Sequence, residues 1–326
     1  MLSRLIPGFL VRFFARPYVA GSSLDEAVET AVRAHDEHGS SGTLDLLGED
    51  VQRPEQVARA VRAYHDIVRR AATDARFSSR PRPSVSVKPS GFTCTALEDA
   101  KDPLFELAKE AHERGVALTI DMEDRRWTDL TLGWAIELFS RGYDVGTVLQ
   151  TRLHRTPEDV ERVPEGMRIR LVIGIYPEPP EVATTDKDEM KERMLQCAER
   201  LLTRGARVEF ATHDERFIER FIREIAPRAP ERCELQLLLG VPRDEIRDQV
   251  AAGAFGPPLS TRLYIPFALS WSDATAYLRR RLDESPSMVW LVLRNLFRRR
   301  GRRALPAKDR APTGALPAKS AESEKA

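Results

Sequence analysis

The amino-acid sequence predicts an α/β protein built on a closed (β/α)8 barrel of the TIM type. Three observations lead there. Eight short apolar or β-branched segments alternate with longer helical ones between residues 43 and 266, and such alternation implies parallel strands joined by helical crossovers. The count and the span match a closed barrel of about 250 residues. No Gly-x-Gly-x-x-Gly follows any strand, so an open doubly wound nucleotide-binding sheet lacks its usual signature.

The elements follow in order. Ser22-Ser23 with Asp25 and Glu26 opens a helix over 22–38, which Gly39 ends. Thr43-Leu-Asp-Leu-Leu-Gly48-Glu49 is short and apolar, and a long helix over 53–76 follows it. Ser84-Val-Ser-Val-Lys88 reads as a buried strand. The rhythm then repeats. Helices at 97–114, 129–141 and 156–163 alternate with strands at 116–121, 145–150 and 168–176. Strands at 207–211 and 234–240 alternate with helices at 187–204, 214–226 and 242–252, and Arg262-Leu-Tyr264-Ile-Pro is the last strand. Three regions result: an N-terminal helical arm over 1–40, the barrel over 41–297, and a basic tail over 298–326. Ala-Leu-Pro-Ala-Lys occurs twice in that tail, whose composition is that of a disordered segment.

Bulk properties narrow the function. Lys and Arg number 51 against 50 Asp and Glu, so the net charge of +1 gives no case for nucleic-acid binding. Three scattered cysteines form no Cys-x-x-Cys, and six histidines form no His-x-His or His-Glu-x-x-His, so neither a disulfide framework nor a metal site is expected. No apolar run is long enough to span a membrane. Residues 1–20 carry Arg4, Arg12 and Arg16 among apolar residues. They read as an amphipathic helix rather than a cleaved leader, because Pro7 and the arginines interrupt them and no small-x-small site stands out.

Polar residues close the strands: Glu49, Lys88, Asp121, Gln150, Tyr176, His213, Gln236 and Tyr264. In this barrel such positions face the active-site mouth. Each alone is explained as a cap or a loop residue; eight at equivalent ends are not. Beyond Tyr264, the segment Tyr277-Leu-Arg-Arg280-Arg281-Leu-Asp-Glu284 reads as a helix, with Tyr277, Arg280 and Arg281 on one face. Two guanidiniums beside a phenol make a fork for a carboxylate. On spacing alone a solvated basic helix explains the same residues. Lys88 adds a cation, and Asp121 offsets it. No Gly-x-Ser-x-Gly or Ser–His pairing supports hydrolysis, which leaves a bound organic cofactor as the source of reactivity.

The motifs at these ends resemble those of the flavin-dependent proline dehydrogenase family, over residues 12–297. The matching pieces are Leu-Asp-Leu-Leu-Gly48-Glu49, Ser-Val-Lys88-Pro-Ser, Ile-Asp121-Met-Glu, Val-Leu-Gln150, Arg170-Leu-Val-x-Gly174-x-Tyr176, Phe-Ala-Thr212-His213, Glu234-Leu-Gln236, Tyr264-x-Pro and Tyr277-Leu-x-Arg280-Arg281-x-x-Glu284. The resemblance implies a distorted barrel with a final helix over its mouth, non-covalent FAD, and oxidation of L-proline to Δ1-pyrroline-5-carboxylate by hydride transfer to flavin N5. It implies that Lys88, Arg280 and Arg281 bind the substrate carboxylate, that Tyr264 and Tyr277 wall the ring, and that Asp121 orients Lys88 and the arginines. Arg170 would lie near N5. Gln150, Gly174, Tyr176, Thr212, His213, Gln236 and Glu284 would hold the rest of the cofactor.

Four positions depart from the family pattern: Ile173 replaces a usual lysine, Arg152 a common aromatic, Asp214 an asparagine and Ala268 a glycine. A barrel with weakened catalysis that binds an amino acid or a flavin therefore competes with the enzyme reading, as does a flavoenzyme for another cyclic secondary amine. Tyr264 favours proline over hydroxyproline. The family further implies a quinone as electron acceptor and a separate pyrroline-5-carboxylate dehydrogenase for the next step. The expected location is cytoplasmic, with at most peripheral contact with the inner membrane. The basic N-terminal helix and the apolar segment 288–297 would serve as interfacial anchors or pack on the barrel.

Overall fold

A computed structural model describes residues 17–48, 51–271 and 274. Eight parallel strands close a barrel in sequence order. They are β1 (Ser41–Leu46), β2 (Ser84–Val87), β3 (Leu118–Ile120), β4 (Val145–Gln150), β5 (Arg168–Val172), β6 (Arg207–Ala211), β7 (Cys233–Leu238) and β8 (Ser260–Phe267). β8 closes on β1 in a six-residue register from Ser41 opposite Arg262 to Leu46 opposite Phe267. The longer helices are α1 (Leu24–His38), α2 (Pro54–Thr73), α3 (Lys101–Glu113), α4 (Thr128–Ser140), α5 (Thr156–Val160), α6 (Lys187–Thr203), α7 (Glu215–Arg220) and α8 (Asp244–Ala251). The alternation expected from sequence is thus present throughout. Among the described residues, no helix is long and apolar enough to cross a membrane.

Local chemistry sets the boundaries. At the start of α1, the Glu26 amide donates to Ser23 Oγ (3.3 Å) and Ser23 Oγ donates to Glu26 Oε2 (3.0 Å), a reciprocal cap of the helix N-terminus. β5 stops at Val172, four residues short of the expected Tyr176. Gly174, at φ +90°, turns the chain into a region that side-chain-bearing residues avoid. The helix after β6 changes from α to a π turn over Phe221–Ile225, where propensity alone predicts a continuous α-helix. Residues 17–21 run beside the end of β8: the Ala20 amide donates to Pro266 O (2.8 Å) and the Ala268 amide to Gly21 O (3.2 Å).

The two sides of the barrel wall differ in chemistry. Outward-facing side chains such as Leu44, Val85, Leu118, Leu149, Ile169, Phe210, Leu235 and Ile265 are fully buried against the helices. Each such side chain stabilises the fold by about 1.5–3 kcal/mol relative to exposure. Most inward-facing positions are polar, with Val148 opposite Arg170 among the exceptions. Arg168 on β5 reaches Thr119 on β3 (3.4 Å) and Glu209 on β6 (2.8 Å). Arg262 on β8 reaches Glu234 on β7 (2.7 Å) and Ser84 on β2 (3.2 Å). Contacts between strands that are not neighbours can form only through the lumen. Barrels of this class usually fill that space with branched apolar layers; here an ionic stack fills it.

Candidate active site

At the C-terminal end of the lumen, Asp121 is the hub. It follows β3, and its carboxylate accepts from three groups and faces a fourth, drawn from three other strand ends. Oδ1 accepts from Ser86 Oγ (2.7 Å) and Arg170 Nη1 (2.9 Å). Oδ2 accepts from the Tyr264 hydroxyl (2.9 Å) and lies 3.5 Å from Lys88 Nζ. The Arg170 guanidinium also stacks over the Tyr264 ring at 4.9 Å, a cation–π contact. Lys88 Nζ makes its shortest contact with Asp45, a buried carboxylate on β1.

Burial alone would strip Lys88 of its proton; Asp45 and Asp121 outweigh that and hold its pKa well above the ordinary lysine value. Burial raises the Tyr264 phenol well above its ordinary value, and Asp121 adds to the effect. Both groups therefore stay protonated at neutral pH. Below them, burial would raise the Glu209 carboxyl, but Arg168, Arg170 and Arg262 bring it down to about 2.

The opposite half of the mouth is built from β4–β7. Gln150 Nε2 donates to Glu123 O (2.7 Å), which fixes the amide at the end of β4. Gly174 lies beside it: a Cβ there would stand 2.5 Å from Gln150 Oε1 and 2.8 Å from Arg152 Cδ. Gln236 Oε1 accepts from Arg170 Nε (2.7 Å) and so ties the two halves together. The Leu238 amide donates to His213 Nε2 (3.4 Å), so the ring's proton sits on Nδ1. Burial, with Arg243 nearby, lowers the His213 pKa to about 4, so this ring is neutral. Three buried nitrogens near this rim, Arg152 Nε, Arg170 Nη2 and His213 Nδ1, have no hydrogen-bond partner among the described residues.

The structure thus brings Lys88, Asp121, Arg170, Gln236 and Tyr264 into one network and sets Gln150, Gly174, Tyr176, Thr212 and His213 along the β4–β6 rim. Tyr277, Arg280, Arg281 and Glu284 lie outside the described residues, as do Glu49 and segments 1–16 and 288–326. Asp45 was not anticipated. Its one signal is a lone charge between Leu44 and Leu46 in an otherwise uncharged strand. The departures have local partners: Asp214 accepts from Lys191 Nζ (2.6 Å), Arg152 Nη1 donates to Tyr176 O, and Ile173 packs against the core. A cavity of about 320 Å³ opens at the far end of the barrel beside Asp144, Arg168, Arg207 and Arg262. It lies away from this network, and Glu209, Asp144 and Glu234 balance its buried arginines.

A family model described as proline dehydrogenase matches residues 28–290. The chain belongs to the proline dehydrogenase family. It is therefore an oxidoreductase of that family by descent as well as by motif. The proline dehydrogenase of Deinococcus radiodurans is 31% identical over 293 residues, covering 87% of this chain and 90% of the relative. Proline dehydrogenase 2 of Bacillus subtilis is 27% identical over 308 residues, covering 91% and 95%. Among solved structures, proline utilization A (PutA) from Bdellovibrio bacteriovorus, inactivated by N-propargylglycine, matches with a TM-score of 0.72 and 24% identity over 83% of this chain. The chain spans about a third of that longer protein (33%), and the likeness shows the shared barrel. PutA from Bradyrhizobium japonicum gives 0.68 and 21% over 82% of this chain and 30% of its own length.

Proposed function

We propose that the protein oxidises L-proline to Δ1-pyrroline-5-carboxylate, with non-covalent FAD as cofactor and a quinone as the final electron acceptor. The observation that carries this reading is the Asp121 hub, which holds an ammonium, a guanidinium and a phenol together at the barrel mouth. Such a set binds a small amino acid by its carboxylate and presents an aromatic wall to its ring. Family membership supplies the substrate class.

Two features of the chain fit the cofactor. The unpartnered buried N–H groups of Arg152, Arg170 and His213 are donors, which suits a group rich in acceptor oxygens and nitrogens. The bare Cα of Gly174 lets the Gln150 and Arg152 side chains close up against the backbone, which brings two polar groups together on this rim. Arg170, Gln150, Gly174, Tyr176, Thr212, His213 and Gln236, with Glu284, would hold the FAD. When bound, FAD supplies the two-electron acceptor that proline oxidation needs.

The chain's own residues do the rest. The product carries its C=N bond between the ring nitrogen and the methylene away from the carboxylate, so the substrate must be held at its carboxylate end with that methylene free to react. Lys88 provides one cation for this, and Arg280 and Arg281 are proposed to provide the others. The Tyr264 ring walls off water, and its hydroxyl is spent on Asp121. Lys88, Tyr264 and Arg170 all keep their protons, so none is a base at neutral pH, and the two carboxylates at the mouth, Asp45 and Asp121, are engaged in ion pairs with Lys88 and Arg170. The amine therefore sheds its proton before its C–H bond breaks, and the substrate reacts as the free amine.

The test is anaerobic mixing of the purified yellow protein with L-proline. Flavin absorbance should bleach, at a rate that rises with pH towards the titration of the amine. A protein that takes up no FAD, or a bound flavin that proline leaves oxidised, would sink the proposal; a pH-independent rate would call for a base instead.

A further inference from the structure

We propose that Asp45 is the positioning residue of this site: as the counter-ion of Lys88, it fixes the ammonium at the mouth as a standing cation for the substrate carboxylate. The inference rests on reading the mouth as a carboxylate site, and it assigns a role to a residue that the motif reading left without one.

The geometry supports it from four sides. Lys88 is 3% exposed and Asp45 1%, so the pair is shielded from water. Asp121, the second carboxylate facing Lys88, is 3.5 Å away and already accepts from Ser86, Arg170 and Tyr264. It has little capacity left for the ammonium, and Asp45 takes that part. The remaining polar groups around Lys88 are the phenols of Tyr264 from β8 and Tyr64 from α2, the latter accepting from the Lys88 amide (3.4 Å). Burial raises both phenols, so neither becomes a counter-ion. Arg170 is a further cation, joined to Lys88 through Asp121.

Register fixes the pairing. Asp45 lies opposite Ser86 on β2 and Pro266 on β8, and Lys88 is two residues beyond Ser86 on the same face. The lysine therefore projects next to the aspartate, one step nearer the mouth. A buried ammonium without its counter-ion sheds its proton readily, because burial favours the neutral amine. Removing Asp45 should therefore make Lys88 titrate within the working pH range. It should leave the Asp121 hub in place.

The experiment measures binding of cyclopentanecarboxylate to the FAD-loaded protein by calorimetry between pH 7 and 9.5. This ligand has the ring and the carboxylate but no amine, so its own charge is constant over that range. The wild type should show a nearly flat dissociation constant. Asp45→Asn should match it within a few-fold at pH 7 and weaken by about tenfold by pH 9.5. Asp45→Glu, which restores the charge, should flatten the profile again. Asp45→Asn with Lys88→Arg should also be flat, since a guanidinium does not titrate there. A flat profile in Asp45→Asn overturns the assignment.

If Asp45→Asn fails to fold, the Asp45→Asn/Lys88→Met protein decides. Removing both charges together should restore folding, because the damage comes from one buried charge left unpaired. Failure of that double variant would mean that Asp45 serves the barrel rather than Lys88. A wild type that neither binds the ligand nor oxidises proline overturns the carboxylate-site reading and this inference together. A wild type that does both, beside a flat Asp45→Asn, overturns the inference alone.

Discussion

The lumen and the outer shell of the barrel are made from the same eight strands, yet they are held together by different forces. The shell between strands and helices is a continuous apolar layer with buried residues such as Leu107, Ile120, Phe210 and Phe221. The lumen is a stack of ion pairs: Arg262–Glu234 and Arg168–Glu209 below, Arg170–Asp121 above, and Lys88–Asp45 at the mouth. Apolar packing is non-directional and tolerates swaps that conserve volume. Buried charges need every partner present, and losing one partner leaves an uncompensated charge. The shell therefore secures the fold, while the lumen fixes the orientation of a few groups at the mouth.

The largest effect should come from breaking the lumen at its hub. Asp121→Ala removes the acceptor shared by Arg170, Ser86, Tyr264 and Lys88. Breaking a buried ion pair costs about 3–5 kcal/mol of stability. Proline oxidation should fall below detection, while any protein that folds keeps its barrel circular dichroism. Retention of more than a tenth of wild-type kcat/KM would show that the hub is dispensable.

The shell counterpart is Phe210→Ala. Phe210 is fully buried and stacks on Phe221 at 4.2 Å with the rings nearly parallel (1°). The cavity left behind should lower stability by about 3–5 kcal/mol, as for other large core truncations. Chemical denaturation measures that loss. KM for proline at a temperature well below the melting transition should stay within twofold of wild type. A similar stability loss with opposite kinetic consequences is what separates the two layers.

The same division explains which parts were legible in the sequence. The shell was readable because β-branched and apolar runs bounded by glycine mark strands, and all eight appear where the pattern placed them. Strand-end residues such as Lys88, Asp121 and Gln236 were readable because the barrel puts such ends at one mouth. The ionic stack was not. Arg168-x-Arg170, Glu234-x-Gln236 and Arg262-x-Tyr264 do alternate charged or polar with apolar residues, but a half-exposed strand has the same pattern. Only closure of the sheet turns that solvent-like face into a lumen. Asp45 was missed for a related reason: its partner Lys88 is 43 residues away, and no local spacing links them. The π turn at Phe221–Ile225 and the early end of β5 are backbone events that propensity does not encode.

The smallest effect concerns pH, and it falls on the rim where lumen and shell meet. The lumen should be insensitive to mild acid, because three arginines hold Glu209 down at about 2. His213 is different: burial and Arg243 lower its pKa to about 4, from an ordinary value of 6.5. The unfolded chain therefore binds a proton more readily than the folded one between those two values. The stability contribution of the neutral ring is complete above pH 6.5 and is lost as pH falls towards 4. Between pH 8 and pH 5 that amounts to about 2 kcal/mol at most. Urea titrations of the wild type and His213→Gln at both pH values measure it. The variant should be the less pH-sensitive of the two over this interval. Equal pH dependence would mean that the ring takes up its proton without cost, and that the rim is as open to water as the helices outside it.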